Sequence, residues 1–346
     1  GLGEVVLEIE GPLAAIKLGG DNERVVTLTE ARIASLEKAL KEVESNSEVK
    51  GLVISGAQHE LFCAGADITA IRDVKDPKVG AVLAERGQSV FNQIENLKCT
   101  TVAAINGACV GGGCEMVLAC DYRIASAYES TKVGLPEIKL GIIPGFGGTQ
   151  RLPRLVGLPK AFSVILPGKV LSAPRAKKLG LLDVLVEGTS AEDTHKQLLA
   201  KAREIALGKF SPNQGDLSLS DRILTYTAIG RWIVSNKAKQ GVVKETRGKY
   251  PAPLKAIEVA LIGLKSGIEQ GLKKEAQALG ELVVSAESKA LVHIYFLTES
   301  AKKLGRAEKD QAKQSKVAVI GGGTMGAGIA AAFLAKGVSV LCLITT

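Results

Sequence analysis

The stretch TVAAINGACVGGGCEMVLAC, Thr101 to Cys120, constrains this chain more than any other. A β-branched apolar run from Thr101 to Ile105 predicts a buried strand. Asn106-Gly107 breaks it. Gly111, Gly112 and Gly113 then open into a short apolar helix carrying Glu115. Glycine lets backbone pass close to a ligand. A helix start leaves its first N–H groups unpaired and partly positive. A donor suited to a developing oxyanion and a candidate acid/base therefore stand close together in sequence.

The segments before it repeat a strand-strand-helix rhythm. Val5 to Ile9 and Leu13 to Leu18 read as strands around Gly11-Pro12, and Thr29 to Val43 as a helix with Ile33, Leu36, Ala39 and Leu40 on one face. Gly51 to Ser55 is a short buried strand and Val79 to Leu97 a helix. Tyr122 to Ala125, Thr131 to Val133 and Leu181 to Val186 are further strands. The pattern predicts a layered α/β architecture.

Two more stretches stand out. Leu61 to Ile68 puts small residues, AGADI at its end, after a strand; alone it also fits an ordinary turn. Leu135-Pro136-Glu137, followed by Gly141 to Leu152, carries a second carboxylate and a glycine-rich loop ending at Thr149, a predicted helix cap. Alone, Glu137 reads rather as a solvated loop residue.

Taken together, AGADI (Ala64 to Ile68), NG…GGGCE (Asn106 to Glu115) and LPE…G.IPG.GGTQRL (Leu135 to Leu152) resemble the crotonase, or enoyl-CoA hydratase/isomerase, superfamily in order, spacing and identity. The resemblance implies an α/β fold, a crotonase-like spiral of ββα units, over roughly residues 1–190. It implies that the Ala66 and Gly112 N–H groups form an oxyanion hole and that Glu115 and Glu137 are the catalytic carboxylates. Retention of both carboxylates points to hydration of a trans-2-enoyl-CoA, with Δ3-Δ2-enoyl-CoA isomerisation open to Glu137 alone. The second reading is an acyl-CoA-binding or assembly module.

Composition narrows the remaining classes. A net charge of +8 suits a phosphate-bearing ligand, a nucleic acid or an acidic membrane. No stretch interleaves aromatic with basic residues, so nucleic acid is not expected as a partner. No apolar run is long enough to span a membrane. Cys63, Cys99, Cys109, Cys114, Cys120 and Cys342 form no CxxC pair and read as reduced thiols, and His59, His195 and His293 fall in no metal or catalytic motif. No metal site is expected. The N-terminus, Gly1-Leu2-Gly3-Glu4, does not read as a signal peptide.

Residues 191–314 change character. Glu192 to Ala206 reads as a helix and Lys209 to Ser220 as a linker. Asp221 is a predicted cap for a helix with Ile223, Tyr226, Ile229, Trp232 and Ile233 at helical spacing, followed by Lys237, Lys239, Lys244, Arg247 and Lys249. The amphipathic, basic region 221–249 fits a helix packed on its own domain, or peripheral contact with a membrane or partner subunit. PAPLKAIEV, GLKKEAQALGELV and ESKALVHIYFLTESAKK read as helices. They resemble the connecting region of the multifunctional fatty-acid oxidation enzymes, which implies a covering helix and a thiolase as a further partner. Bacterial cytoplasm is the first expectation for location, then peroxisome or mitochondrion.

Residues 315–346 open like a dinucleotide-binding fold. KVAVI is a strand, Gly321, Gly323 and Gly326 spell G-x-G-x-x-G, Gly328 to Lys336 is a helix, and Val338 to Leu343 a second strand. This resembles the start of a 3-hydroxyacyl-CoA dehydrogenase, with Gly321, Gly323, Met325 and Gly326 as NAD contacts. The position where that family places an acidic residue is Ile344. An incomplete NAD site, no dehydrogenase activity and very weak NAD binding are therefore expected. Hydration itself calls for no cofactor.

Overall fold

Alternating apolar and acidic residues in VVLEIE make β1 (Val5–Glu10) a half-exposed strand, with Glu8 and Glu10 turned outward to blunt a sheet edge. In the computed structural model, which describes residues 3–20, 23–304 and 315–343, β1 pairs antiparallel with β2 (Leu13–Leu18). Helix α1 (Glu30–Ser45), capped by the Thr29 side chain, buries Ile33, Leu36, Leu40 and Val43. Strand β3 (Gly51–Gly56) is buried along its whole length. Next come α2 (Ile68–Asp73), whose first turn is capped by Asp67, and α3 (Pro77–Asn96). Then follow β4 (Thr100–Ile105), β5 (Ala108–Val110), α4 (Gly112–Leu118), β6 (Tyr122–Ser126) and β7 (Lys132–Gly134). A 3-10 turn at Glu137–Leu140 leads to α5 (Gly148–Val156), α6 (Leu158–Ile165), β8 (Val170–Ser172), α7 (Ala173–Leu179) and β9 (Val184–Val186).

The main sheet runs β1-β2-β3-β4-β6-β9, parallel except at β1/β2. A smaller sheet, β5-β7-β8, is fed by the Asn106-Gly107 break at the end of β4. Successive strand pairs wind into two sheets with a helix between turns, the spiral expected from the sequence. The main core holds Ile16, Leu52, Ile54, Phe91, Ile105 and Met116 between the sheet and α1, α3 and α4.

Some expectations need correction. The last strand is Val184–Val186, because Leu181 and Leu182 are buried in the main core before the chain joins the sheet. The core also continues past residue 190. Helix α8 (Ala191–Ala206) lays Leu198, Ala202 and Ile205 against Val53, Val102 and Ile124 on the other face of the main sheet.

The basic region 221–249 departs furthest from its reading. Ser218, not Asp221, caps α9 (Leu219–Tyr226), and Asp221 instead meets Lys160 Nζ at 2.9 Å. Thr227 then ends that helix and caps α10 (Ala228–Thr246). The two helices bury small or polar residues, among them Thr225, Gly230 and Ser235, while Ile229 and Trp232 are 74% and 65% exposed. The apolar stripe faces outward because close approach at Gly230, where a Cβ would lie 2.2 Å from the Ile223 carbonyl, selects the small face for packing. Helices α11 (Pro251–Ser266), α12 (Ile268–Val283) and α13 (Ala286–Leu304) follow.

Residues Gly1–Tyr295 cluster as one compact unit and Phe296–Thr346 as a second. In the second, β10 (Lys316–Ile320) and β11 (Ser339–Leu343) pair in parallel around α14 (Thr324–Leu334). Helix α14 starts four residues before the expected Gly328, directly after Gly323, and takes Gly326 into its first turn. Within this strand–helix–strand unit Val319 is the one buried side chain among the described residues, at 7% exposure. A single βαβ unit has too little surface to enclose a core.

Because α8 belongs to the core, Leu198→Ala should cost about 2–5 kcal/mol. Urea unfolding followed by circular dichroism checks this; an unchanged midpoint would contradict it.

Candidate active site

The Leu61–Ile68 loop is braced on two sides. Cys63 N donates to Ala108 O, Ala64 N to Val26 O, and Leu28 N to Gly65 O, at 2.8–2.9 Å. This holds Gly65 against the start of α4, where a Cβ on Gly65 would lie 3.4 Å from the Gly112 nitrogen. Among the described residues, neither the Ala66 nor the Gly112 N–H donates to a protein acceptor. Gly111, at φ +57°, turns the chain from β5 into α4, a conformation costly for any other residue. It also admits a carboxylate: a Cβ there would sit 3.3 Å from Glu137 Oε1.

Glu115 lies in the first turn of α4 and is 2% exposed. Its Oε1 accepts hydrogen bonds from Phe146 N at 2.8 Å and Gly148 N at 2.7 Å. Phe146 is itself seated edge-on against the buried Phe91 ring, 5.7 Å between centroids. Glu137 opens the 3-10 turn, and both its carboxylate oxygens are buried with no hydrogen-bond partner.

All four residues, Ala66, Gly112, Glu115 and Glu137, line one cavity of about 470 Å³. Its walls are mostly apolar, including Ile68, Ile71, Ile143, Phe146, Leu279 and Val283, with Arg86 and Lys139 also on its lining.

A third carboxylate stands behind this pair. Glu275 of α12 is fully buried. It accepts from Gly147 N at 2.6 Å, Thr149 N at 3.0 Å, the Thr149 hydroxyl, and Gln88 Nε2 at 3.1 Å. Thr149 is therefore not the cap of α5, which Gly147 occupies. Four successive N–H groups at the helix start are shared alternately: Phe146 and Gly148 to Glu115, Gly147 and Thr149 to Glu275. Orphan donors at the positive end of the helix are satisfied by two anions rather than by a neighbouring hydroxyl. Sequence reasoning missed Glu275. The signal for it is a carboxylate inside the apolar face of α12, flanked by Leu272, Ala276 and Leu279.

Burial pushes the Glu137 carboxyl up to about 8, with the Glu275 charge adding to the rise. Burial and the charges of Glu137 and Glu275 also raise Glu115, opposed by the Gly148 and Phe146 N–H groups. Glu275 is pushed up to about 7 by burial, against the pull of its donors. The three do not ionise independently. The two differ in their donors: Glu115 receives two backbone N–H groups and the Glu137 carboxylate oxygens none from another residue. Burial also raises the thiols, Cys63 to about 11, so the buried cysteines are inert. His195 sits beside Asn106 Nδ2, 2.9 Å from its Nδ1, outside the cavity lining.

A family model described as Enoyl-CoA hydratase/isomerase matches residues 8–209. The chain belongs to the enoyl-CoA hydratase/isomerase family. It is 39% identical over 327 residues to the fatty acid oxidation complex subunit alpha of Vibrio parahaemolyticus, covering 94% of this chain and 46% of that protein. Against the Vibrio cholerae protein of the same name identity is 42% over 293 residues, 85% of this chain and 41% of the relative. The chain thus spans about half the length of the curated relatives it matches. An enoyl-CoA hydratase structure from Bacillus anthracis is 26% identical with a TM-score of 0.53, covering 89% of this chain and all of that one. Human mitochondrial delta3-delta2-enoyl-CoA isomerase, 20% identical, shares the fold at a TM-score of 0.61 over 87% of this chain and 99% of its own.

In the second unit Gly321 and Gly323 lie between β10 and α14, and Gly326 lies in the first turn of α14. Gly323 precedes the helix start, and a Cβ on Gly326 would lie 1.7 Å from the Gly321 carbonyl, so only glycine closes this turn. Met325 is exposed. Ile344 lies outside the described residues, and residues 316–343 contain no Asp or Glu to hold ribose hydroxyls.

A carboxyl whose folded pKa lies above its unfolded value stabilises the fold fully below the unfolded value and loses that contribution as pH rises through the folded one. With Glu137 at about 8, stability should fall between the ordinary carboxylate range and about pH 8. Urea midpoints across that window check this, and Glu137→Gln should flatten the slope. An equally steep slope in the variant would contradict it.

Proposed function

We propose that this chain hydrates trans-2-enoyl-CoA to 3-hydroxyacyl-CoA in fatty-acid β-oxidation. The observation that carries the reading is the convergence, in one apolar cavity, of two unpaired backbone donors and two carboxylates with opposite hydrogen-bonding environments. The thioester oxygen of the substrate accepts from the Ala66 and Gly112 N–H groups. Glu115, ionised, takes a proton from water as the water oxygen bonds to C3. The C2–C3 π pair moves toward the carbonyl, and the resulting enolate charge rests on the two donors. Glu137 then gives its proton to C2, completing net addition of water. Proton exchange between the two carboxyls restores the starting state. No cofactor enters this scheme.

Isomerase activity fits the same cavity. In its ionised form Glu137 alone can remove a proton from C2 of a 3-enoyl-CoA and return it at C4, with the dienolate charge on the same donors. Arg86 and Lys139 on the lining suit the phosphates of the carrier. NAD binding is proposed to be very weak: the glycine loop has the right form, but residues 316–343 offer no carboxylate for the ribose.

Surface character supports a reading of partners. The outward Ile229, Trp232 and Ile233 of α10, with Lys237 and Lys239 further along the helix, support contact with a thiolase subunit or an anionic membrane face. No described helix is long and apolar enough to cross a membrane. A bacterial cytoplasmic location is proposed, in line with the bacterial source of the relatives.

Glu115→Gln and Glu137→Gln should each lower crotonyl-CoA hydration by about 10²–10³-fold or more with little change in KM. Glu115→Gln should keep more of its isomerisation of a 3-enoyl-CoA than of its hydration. Hydration is followed by loss of the ultraviolet absorbance of the thioester-conjugated double bond, and isomerisation of a 3-enoyl-CoA by its gain. Wild-type hydration in either variant would end the reading.

A further inference from the structure

Helix α12 lies beyond the 8–209 stretch matched by the family model, yet it reaches the cavity. Leu279 and Val283 form part of its wall, and Glu275, one turn earlier, stands directly behind the loop that holds Glu115. Every polar contact of the Glu275 carboxylate is with a donor: two backbone N–H groups, the Thr149 hydroxyl and the Gln88 amide. Gln88 is fixed in turn by donating to Gly145 O and Leu272 O, both at 3.0 Å. These donors oppose the rise that burial imposes on the Glu275 carboxyl and fix its orientation.

We infer that Glu275 is a positioning residue of the hydration site, acting on Glu115 through the Phe146–Thr149 strap. Adjacent N–H groups in this strap point alternately to the two carboxylates. When Glu275 fixes Gly147 and Thr149, the Phe146 and Gly148 N–H groups are left aimed at Glu115. Arg151 closes the other side by donating to Phe146 O at 3.1 Å while it pairs with Glu95. Glu275 thus does two things. It orients the base without touching substrate, and when ionised its charge adds to the rise of the Glu137 carboxyl. The charged and titratable groups around it are Glu115 on α4, Glu137 on the 3-10 turn and Arg151 on α5.

The inference rests on the proposed hydration reading, and Glu115→Gln is carried alongside to separate the two. Hydration of crotonyl-CoA is measured across pH for the full chain, Glu275→Gln, Thr149→Val, Thr149→Ser and Glu115→Gln, with circular dichroism confirming fold. Glu275→Gln should lower kcat by about tenfold to a hundredfold, because misplacement of a reacting group by about 1 Å has that effect. KM should stay within about threefold, since the lost interaction is not with substrate. The alkaline limb of the profile should move to lower pH, because removing a buried negative charge lets Glu137 lose its proton sooner. Thr149→Val should move kcat the same way and Thr149→Ser should restore it.

If Glu115→Gln abolishes hydration while Glu275→Gln keeps the wild-type kcat and pH profile, the inference falls and the hydration reading stands. If Glu115→Gln is itself fully active, both fall. Should Glu275→Gln not fold, the Thr149 pair decides: equal activity of Val and Ser variants overturns the inference.

Discussion

Four consecutive backbone N–H groups at the start of α5 set the chemistry of this protein. They occupy the positive end of a helix. Two buried carboxylates divide them, Glu115 from α4 and Glu275 from α12. Glu115 can be ionised inside an apolar cavity because it receives its share of those donors. Glu137 faces the same cavity with no such donor, and in the proposed hydration that difference in hydrogen bonding separates the base from the acid.

Much of this was legible in the sequence. The β-branched run ending at Ile105 announces a buried strand, and the glycines after it announce a close backbone approach, so β4, β5 and α4 could be read locally. Glu115 and Glu137 could be paired because the motifs around them resemble a known family. Their burial could not be read, since Glu137 alone looks like a solvated loop residue until Gly111 and the β5-β7-β8 sheet enclose it. Glu275 was illegible for the same reason: its partners are 126–187 residues away. A helix cap assigned to Thr149 from its neighbours was displaced by anions from elsewhere in the chain.

Helices α9 and α10 show the opposite failure. Periodicity places Ile223, Tyr226, Ile229, Trp232 and Ile233 on a common stripe, and a stripe ordinarily seeks the core. Here Thr227 splits it, and Gly230 and Ser235 let the helices pack on their small face instead. Large apolar side chains are left outside. Hydrophobic spacing fixes which residues share a face, while the depth of the available groove selects the face that is buried.

The compact unit reaching Tyr295 exceeds the region matched by the family model, and α12 supplies both cavity wall and a buried anion. The most direct measurement is a crystal structure with a 3-ketoacyl-CoA, an unreactive analogue of the product. The account predicts its thioester oxygen about 2.7–3.1 Å from both the Ala66 and Gly112 nitrogens, with C2 facing Glu137 and C3 facing Glu115. An analogue bound with its thioester away from those two donors, or with only one glutamate near C2 and C3, would contradict it.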